Sequence, residues 1–138
     1  MSTDKPTAPI GVYVAGGASE RLTVVRPLID RLLAAGVVIT HDWTRCEGWD
    51  MPALSVTYRQ RFALQDLDGV RRAGLVWYVA PSTKSEGSAA ELGAALALRI
   101  PVVVSGPAGT LGRIFPALAG VQFVAHGDAL AAVIRAGR

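Results

Sequence analysis

Glu91 is the side chain in this sequence with the most chemistry within reach. It sits in STKSEGSAAELGAALALRIPVVVSG, residues 82–106, which reads as a polar loop, a helix with Glu91 in its first turn, and an apolar strand. Two accounts of the carboxylate stand side by side. Ser88 followed three residues later by Glu91 fits a capping box, with Ser88 accepting from a free backbone N–H and Glu91 reaching back. Alternatively, the N-terminus of a helix carries roughly half a positive charge, which keeps a carboxylate ionised and favours a nearby anionic ligand. An ionised carboxylate at the mouth of a sheet can act as a nucleophile. The local pattern alone puts the cap first.

A second carboxylate, Asp66, lies in RFALQDLDGVRRAG. There Phe62, Leu64, Leu67 and Val70 mark the buried face of a helix; Asp66 neighbours that face and Asp68 points to solvent. Surface charge is the plainer account of Asp66, and core packing the plainer account of Tyr13 near the end of the first apolar run. Other machinery is missing from the chain. It has no GxxxxGK[ST] loop and no GxGxxG fingerprint, Gly16-Gly17-Ala18-Ser19 being too short a match, and no GxSxG elbow. Two histidines and a single cysteine offer little for a metal, and no cofactor is expected.

These groups need a scaffold to bring them together. Apolar, β-rich runs at 10–15, 37–40, 75–79, 102–104 and 121–124 alternate with helical patterns at 22–35, 55–73, 88–98, 111–118 and 128–136. Pro27 is expected to disturb the first turns of its helix. Residues 41–54, with Trp43, Trp49 and Pro52, read as a surface loop. Five strands apolar throughout call for a parallel sheet covered on both faces. Right-handed crossovers then predict a single doubly wound, flavodoxin-like α/β domain over residues 10–138, strand order 2-1-3-4-5, after a flexible polar segment 1–9. Ligands of such sheets bind beyond the carboxyl ends of the strands, where the strand order reverses. Segments 15–20, 41–43, 80–91 and 105–109 meet there, and Tyr13 and Glu91 should face one crevice.

Composition narrows the partners. A chain of 138 residues, 51% hydrophobic and 18% charged, makes one compact domain. The net charge of +3 points weakly to an anionic ligand. Arg59, Arg61, Arg71 and Arg72 cluster on one predicted helix, where a solvated face is the first explanation. Aromatic residues are only 7% and do not interleave with the basic ones, so no nucleic-acid partner is expected. No apolar run approaches the ~20 residues that cross a bilayer, so no membrane partner is expected either. Cys46 is the single cysteine and MSTDKPTAP lacks an apolar signal core, which together fit a cytoplasmic protein.

Three stretches, VYVAGG, QDLDGVRRAGLVW and GSAAELGAALALRIPVVV, carry a family resemblance across residues 10–104. The chain resembles the nucleoside 2-deoxyribosyltransferase family, including its relatives the 2′-deoxynucleoside 5′-monophosphate N-glycosidases. The resemblance implies a retaining reaction in which Glu91 attacks C1′ of a deoxyribose as the base leaves, and water or a second base then releases the sugar. In retaining glycosidases the two carboxyl groups sit roughly 5–5.5 Å apart. Tyr13 matches the family tyrosine that orients the nucleophile, and Asp66 the aspartate that binds sugar hydroxyls. Gly16, Gly17, Ser19, Ser85, Gly87 and Ser88 fall where the substrate would be held. Asp42 would hold or protonate the departing base and Trp43 would stack on it, a capped strand end with a packed tryptophan being the equal alternative. The family also implies a homo-oligomer whose subunits complete each other's sites, and a nucleoside or nucleotide as the small-molecule partner.

The chain departs from the family at three places. Transferases place an aspartate six residues before the glutamate, where this chain has Ser85, as the monophosphate hydrolases do. The hydrolases' phosphate-gripping Ser-x-Arg reads Gly17-Ala18-Ser19 here, with Arg21 a candidate substitute. The neighbouring-subunit residue after the fourth strand has no clear counterpart, Arg113 and Pro116 lying nearest. A non-catalytic nucleotide-binding or sensor module, and a flavodoxin-like scaffold for protein contacts, are the alternatives to an enzyme.

Overall fold

The structure, a computed structural model, describes residues 9–46, 55–106 and 117–138. In chain order the elements are β1 (Gly11–Ala15), a 3-10 turn (Ala18–Glu20), a π-helical turn (Arg21–Val25), α1 (Arg26–Ala34) and β2 (Val38–Ile39). A second 3-10 turn (Trp43–Arg45), α2 (Val56–Arg72), β3 (Leu75–Val79) and α3 (Glu86–Ala97) follow, then β4 (Val102–Ser105), β5 (Val121–Phe123) and α4 (His126–Gly137). The strands form one all-parallel sheet in the order β2-β1-β3-β4-β5. This is the flavodoxin-like α/β arrangement expected from the alternation of elements.

Residue type explains the layering. The three central strands read GVYVA, LVWYV and VVVS and are buried almost throughout, as strands covered on both faces must be. Edge strand β5 reads VQF and is largely exposed. Right-handed crossovers put α1 and α4 on one face and α2 and α3 on the other, and each of these pairs is in contact. Ile29, Leu32, Ala129 and Val133 are fully buried from the first pair, and Val70 and Ala95 from the second.

Several local expectations change. β2 is two residues long, shorter than the run at 37–40. Pro27 sits at the start of α1, where its missing N–H costs nothing, and the irregularity is the π-helical turn just before it. Helix α3 starts earlier than expected: Ser85 is its N-cap, with Oγ accepting from Ser88 N at 3.3 Å. Ser88 therefore lies inside the helix and returns its own hydroxyl to Ser85 O at 3.2 Å. The expected Ser88–Glu91 capping box does not form, and Glu91 occupies the second turn, with its side chain free for other contacts.

Helix α2 departs most. Phe62 and Val70 turn inward, but Leu64 is 68% exposed and Leu67 43%, so its apolar residues occupy two faces and not one. Residues 111–116 of the helix expected at 111–118, with Arg113 and Pro116, residues 107–109 of the segment at 105–109, the N-terminal segment before residue 9, and Trp49 and Pro52 lie outside the described residues.

Candidate active site

Tyr13, Asp66 and Glu91 reach one place from three elements. Tyr13 is the third residue of β1 and has no exposed surface; Glu91 on α3 is 7% exposed. Asp66 approaches from α2 because that helix is drawn tightly onto the sheet. Gly69, one turn further on, lies so close that a β-carbon there would be 2.6 Å from His41 Cβ and 3.0 Å from the Tyr13 ring. Thr40 at the end of β2 ties down the same turn, donating from Oγ1 to Gly69 O at 2.7 Å, and Arg72 donates to Thr40 O at 2.7 Å.

A cavity of about 110 Å³ opens between these elements, lined by Gly16, Ala18, Trp43, Asp66, Ser85, Gly87, Ser88 and Glu91. It lies beyond the carboxyl ends of β1 and β3, where the strand order reverses. Most residues expected to hold a substrate therefore share one cavity wall. Three do not. Gly17 packs toward Pro81, Ser19 is exposed on the 3-10 turn, and Asp42 lines a neighbouring cavity of about 370 Å³ with His41, Arg45, Cys46, Tyr58 and Arg61 among its walls.

Asp42 is also occupied. It caps the 3-10 turn by accepting from Thr44 N at 3.0 Å and pairs with Arg45 at 2.5 Å. Trp43 is 4% exposed and donates Nε1 to Val14 O at 2.8 Å, so its ring is held as a wall of the smaller cavity. Arg21 donates to Thr44 O at 2.8 Å, and Arg26 donates to the same carbonyl. These bonds brace the loop after β2 against the π-helical turn.

The electrostatics of the three central groups are coupled. Tyr13 Oη, Asp66 Oδ1 and Glu91 Oε2 are buried without a well-formed hydrogen bond among the described residues, yet they lie close enough for each to shift the others' acidity. Burial first, then the charge of Asp66, pushes the Glu91 carboxyl up to about 8; the Tyr13 hydroxyl works the other way. Burial lifts Asp66 to about 6, and its contact with Glu91 offsets part of that rise. Burial and the two carboxylates raise the Tyr13 phenol far above its ordinary value, so Tyr13 keeps its proton and can donate it in a hydrogen bond. Near neutral pH the two carboxyls, both raised by burial, share one proton. Ionisation of Glu91 by the helix end is thus not what the fold provides: the group is past the first turn, where the dipole fades, and desolvation dominates.

His41 belongs to the segment 41–43 expected at the crevice, where its sequence context assigns it no role, and it touches this pair. Its Nε2 lies 3.3 Å from Asp66 Oδ1 and 3.6 Å from Cys46 Sγ. Burial, followed in the same direction by Arg72, lowers its pKa against the pull of Asp42 and Asp68, so the ring is neutral near pH 7. Gly69 likewise carries no sequence signal beyond being a glycine near a helix end. Both act through tertiary proximity. Among the described residues no group of three or more His, Cys, Asp or Glu is arranged to hold a metal ion, and no helix is long and apolar enough to cross a membrane.

The fold and site define a class: a flavodoxin-like α/β domain with a buried carboxyl pair and a tyrosine at the strand-order switch point. No family model matches the chain, and no curated protein is significantly similar to it.

Proposed function

We propose that this protein cleaves the N-glycosidic bond of a deoxynucleoside or its 5′-monophosphate by a retaining reaction, with Glu91 as nucleophile and water or a second base as acceptor. One observation carries the reading: Asp66 and Glu91, each with an unsatisfied buried oxygen, line a cavity at the ligand-binding end of the sheet, with the buried hydroxyl of Tyr13 coupled to both. Buried polar atoms without partners cost about 1–3 kcal/mol each, and a sugar bearing hydroxyls would satisfy them.

The single proton of the pair suits the chemistry. A sugar hydroxyl accepting from Asp66 draws the proton off Glu91, whose anion then attacks C1′. As the C1′–N bond breaks, its electrons pass to the base nitrogen, which takes a proton by way of Asp66 and the neighbouring His41. Tyr13, always protonated, donates to the carboxylate and aims it. The smaller cavity matches a pentose ring in size, and the 370 Å³ cavity beyond His41 has room for a base beside Tyr58 and Phe62. A homo-oligomer in the cytoplasm is the setting this reading implies.

A second reading, a nucleotide-binding module without turnover, is favoured by two observations. Among the described residues no arginine lines the smaller cavity, and Ser85 is engaged as a helix cap. Incubation with a panel of deoxynucleosides and their monophosphates, with and without an acceptor base, separates the two. Base release that Glu91→Ala abolishes supports the enzyme. Thermal stabilisation by a nucleotide with no base release, alone or with acceptor, supports the module.

A further inference from the structure

The 370 Å³ cavity beyond His41 holds one positive charge that its own walls leave uncompensated. Its ionic groups are Asp42, Arg45 and Arg61. Arg45 is engaged twice, with Asp42 at 2.5 Å and with Asp30 at 2.6 Å. The His41 ring is neutral, and the Asp66 carboxyl group lies behind it, in the smaller cavity. Arg61 is the cation left over. It pairs with no carboxylate and makes no hydrogen bond among the described residues. Asp68, two turns further along α2, is already held by Arg71 and Arg72.

The same face of α2 brings flat apolar surface and further polarity to the cavity. Tyr58, Phe62 and Gln65 follow one another at spacings of four and three, with Arg61 beside them. The Tyr58 and Phe62 rings, 6.1 Å apart and tilted by 47°, offer π-faces to a planar ligand. Arg61 stands 5.5 Å over the Tyr58 ring, which holds the guanidinium beside that surface while its N–H fork stays unclaimed. The Gln65 amide, one turn on, is likewise without a hydrogen bond among the described residues.

A planar fork of donors matches two adjacent acceptors. Guanine and hypoxanthine present such a pair, O6 and N7, on one edge. Adenine carries an amino donor beside N7, which would set N–H against N–H. Thymine offers the single acceptor O4 on that edge. The adjacent acceptors of cytosine, O2 and N3, include the atom next to the sugar-bearing nitrogen and so would lie toward the smaller cavity. We infer that Arg61 selects a 6-oxopurine, its fork on O6 and N7, with Gln65 Oε1 accepting from N1–H and the ring system against Tyr58 and Phe62. The inference rests on the reading of this cavity as the base site and narrows it, making the substrate a 6-oxopurine deoxynucleoside or its 5′-monophosphate.

Titration calorimetry of the full chain with the free bases hypoxanthine and adenine tests it apart from any reaction. The two differ only at C6 and N1. Wild type should bind hypoxanthine roughly tenfold to a hundredfold more tightly, the span that one bidentate arginine contact gives. Arg61→Ala should remove that preference, and Arg61→Gln should tip it toward adenine, whose N6 and N7 a glutamine amide fits. Melting curves confirm that each variant is folded, and if one is not, the other decides. Equal binding of the two bases by wild type, no binding of either, or a preference that survives in a folded variant overturns the inference. Deoxyinosine and deoxyadenosine then separate it from the reaction. Base discrimination without release of hypoxanthine from deoxyinosine would overturn the reaction and leave the purine site standing. Release from both nucleosides at equal kcat/KM would overturn the purine site and leave the reaction standing.

Discussion

The ring of Tyr13 lies directly over Gly69, so that a β-carbon on Gly69 would meet its Cδ2 and Cε2 at 3.0 Å. This contact sets the depth of α2 on the sheet and hence the position of Asp66. Gly69→Ala would drive α2 outward from both Tyr13 and His41, and overpacking of this kind costs about 1–3 kcal/mol. The expected result is a lower melting temperature together with a loss of turnover larger than the stability loss explains. Unchanged stability and activity in the Gly69→Ala variant would mean that this close approach does not position the site.

Stability should fall as pH rises through the Glu91 titration. The carboxyl group moves from 4.5 unfolded to about 8 folded, a raised value, so its contribution is complete below pH 4.5 and disappears as pH climbs past 8. Each tenfold change in proton affinity corresponds to about 1.4 kcal/mol. Glu91→Gln keeps the shape and removes the charge. It should melt above wild type beyond pH 8 and approach it below pH 4.5, which thermal denaturation across that range would show. A constant gap between the two proteins would mean that Glu91 does not hold a buried proton.

Turnover, by contrast, should follow a bell. The form with one proton shared between Asp66 and Glu91 exists between about 6 and about 8, and in the proposed reaction that form supplies both the nucleophile and the proton for the base. The profile of kcat/KM for base release should therefore decline on either side. Asp66→Asn removes the negative neighbour that helps to raise Glu91, so the alkaline limb should move to lower pH. A limb that stays in place would assign it to another group.

The two helix ends at Gly36 and Arg99 offer a stability prediction that leaves the site untouched. Both close the same motif. Val37 N donates to Leu32 O and Gly36 N to Leu33 O, just as Ile100 N donates to Ala95 O and Arg99 N to Leu96 O. The pivotal residue has φ of 83° in Gly36 and 58° in Arg99. Only the second carries a β-carbon into the left-handed region, where an L-residue is strained by roughly 1–2 kcal/mol. Arg99→Gly should recover about 1 kcal/mol of this and raise the melting temperature by roughly 3–4 °C. A drop would show that the arginine side chain contributes more than its backbone costs.

Much of the scaffold was legible in one dimension. LVWYV at 75–79 is a strand with those bounds, and the alternation of apolar runs with helical patterns sufficed for the strand order, because parallel strands need crossovers and crossovers have one hand. The order in turn placed the residues around Tyr13 and Glu91 at one end of the sheet. Trp43, Ser85 and Ser88 were within reach by the same reasoning.

Other features were decided only when distant segments met. Apolar spacing on α2 suggested one buried face, yet it cannot say whether Leu64 is covered by this subunit or left outside. A serine three residues before a glutamate reads as a cap, but the chain's entry into the helix moved that role to Ser85. His41 gained its contact with Asp66 through the closeness that Gly69 permits, which no local pattern records. The charge on Glu91 is the plainest case. Position on a helix suggested an ionised carboxylate, and burial among β1, α2 and α3 reversed it, because desolvation sums over every neighbour that excludes water while a helix dipole acts only within its own first turn.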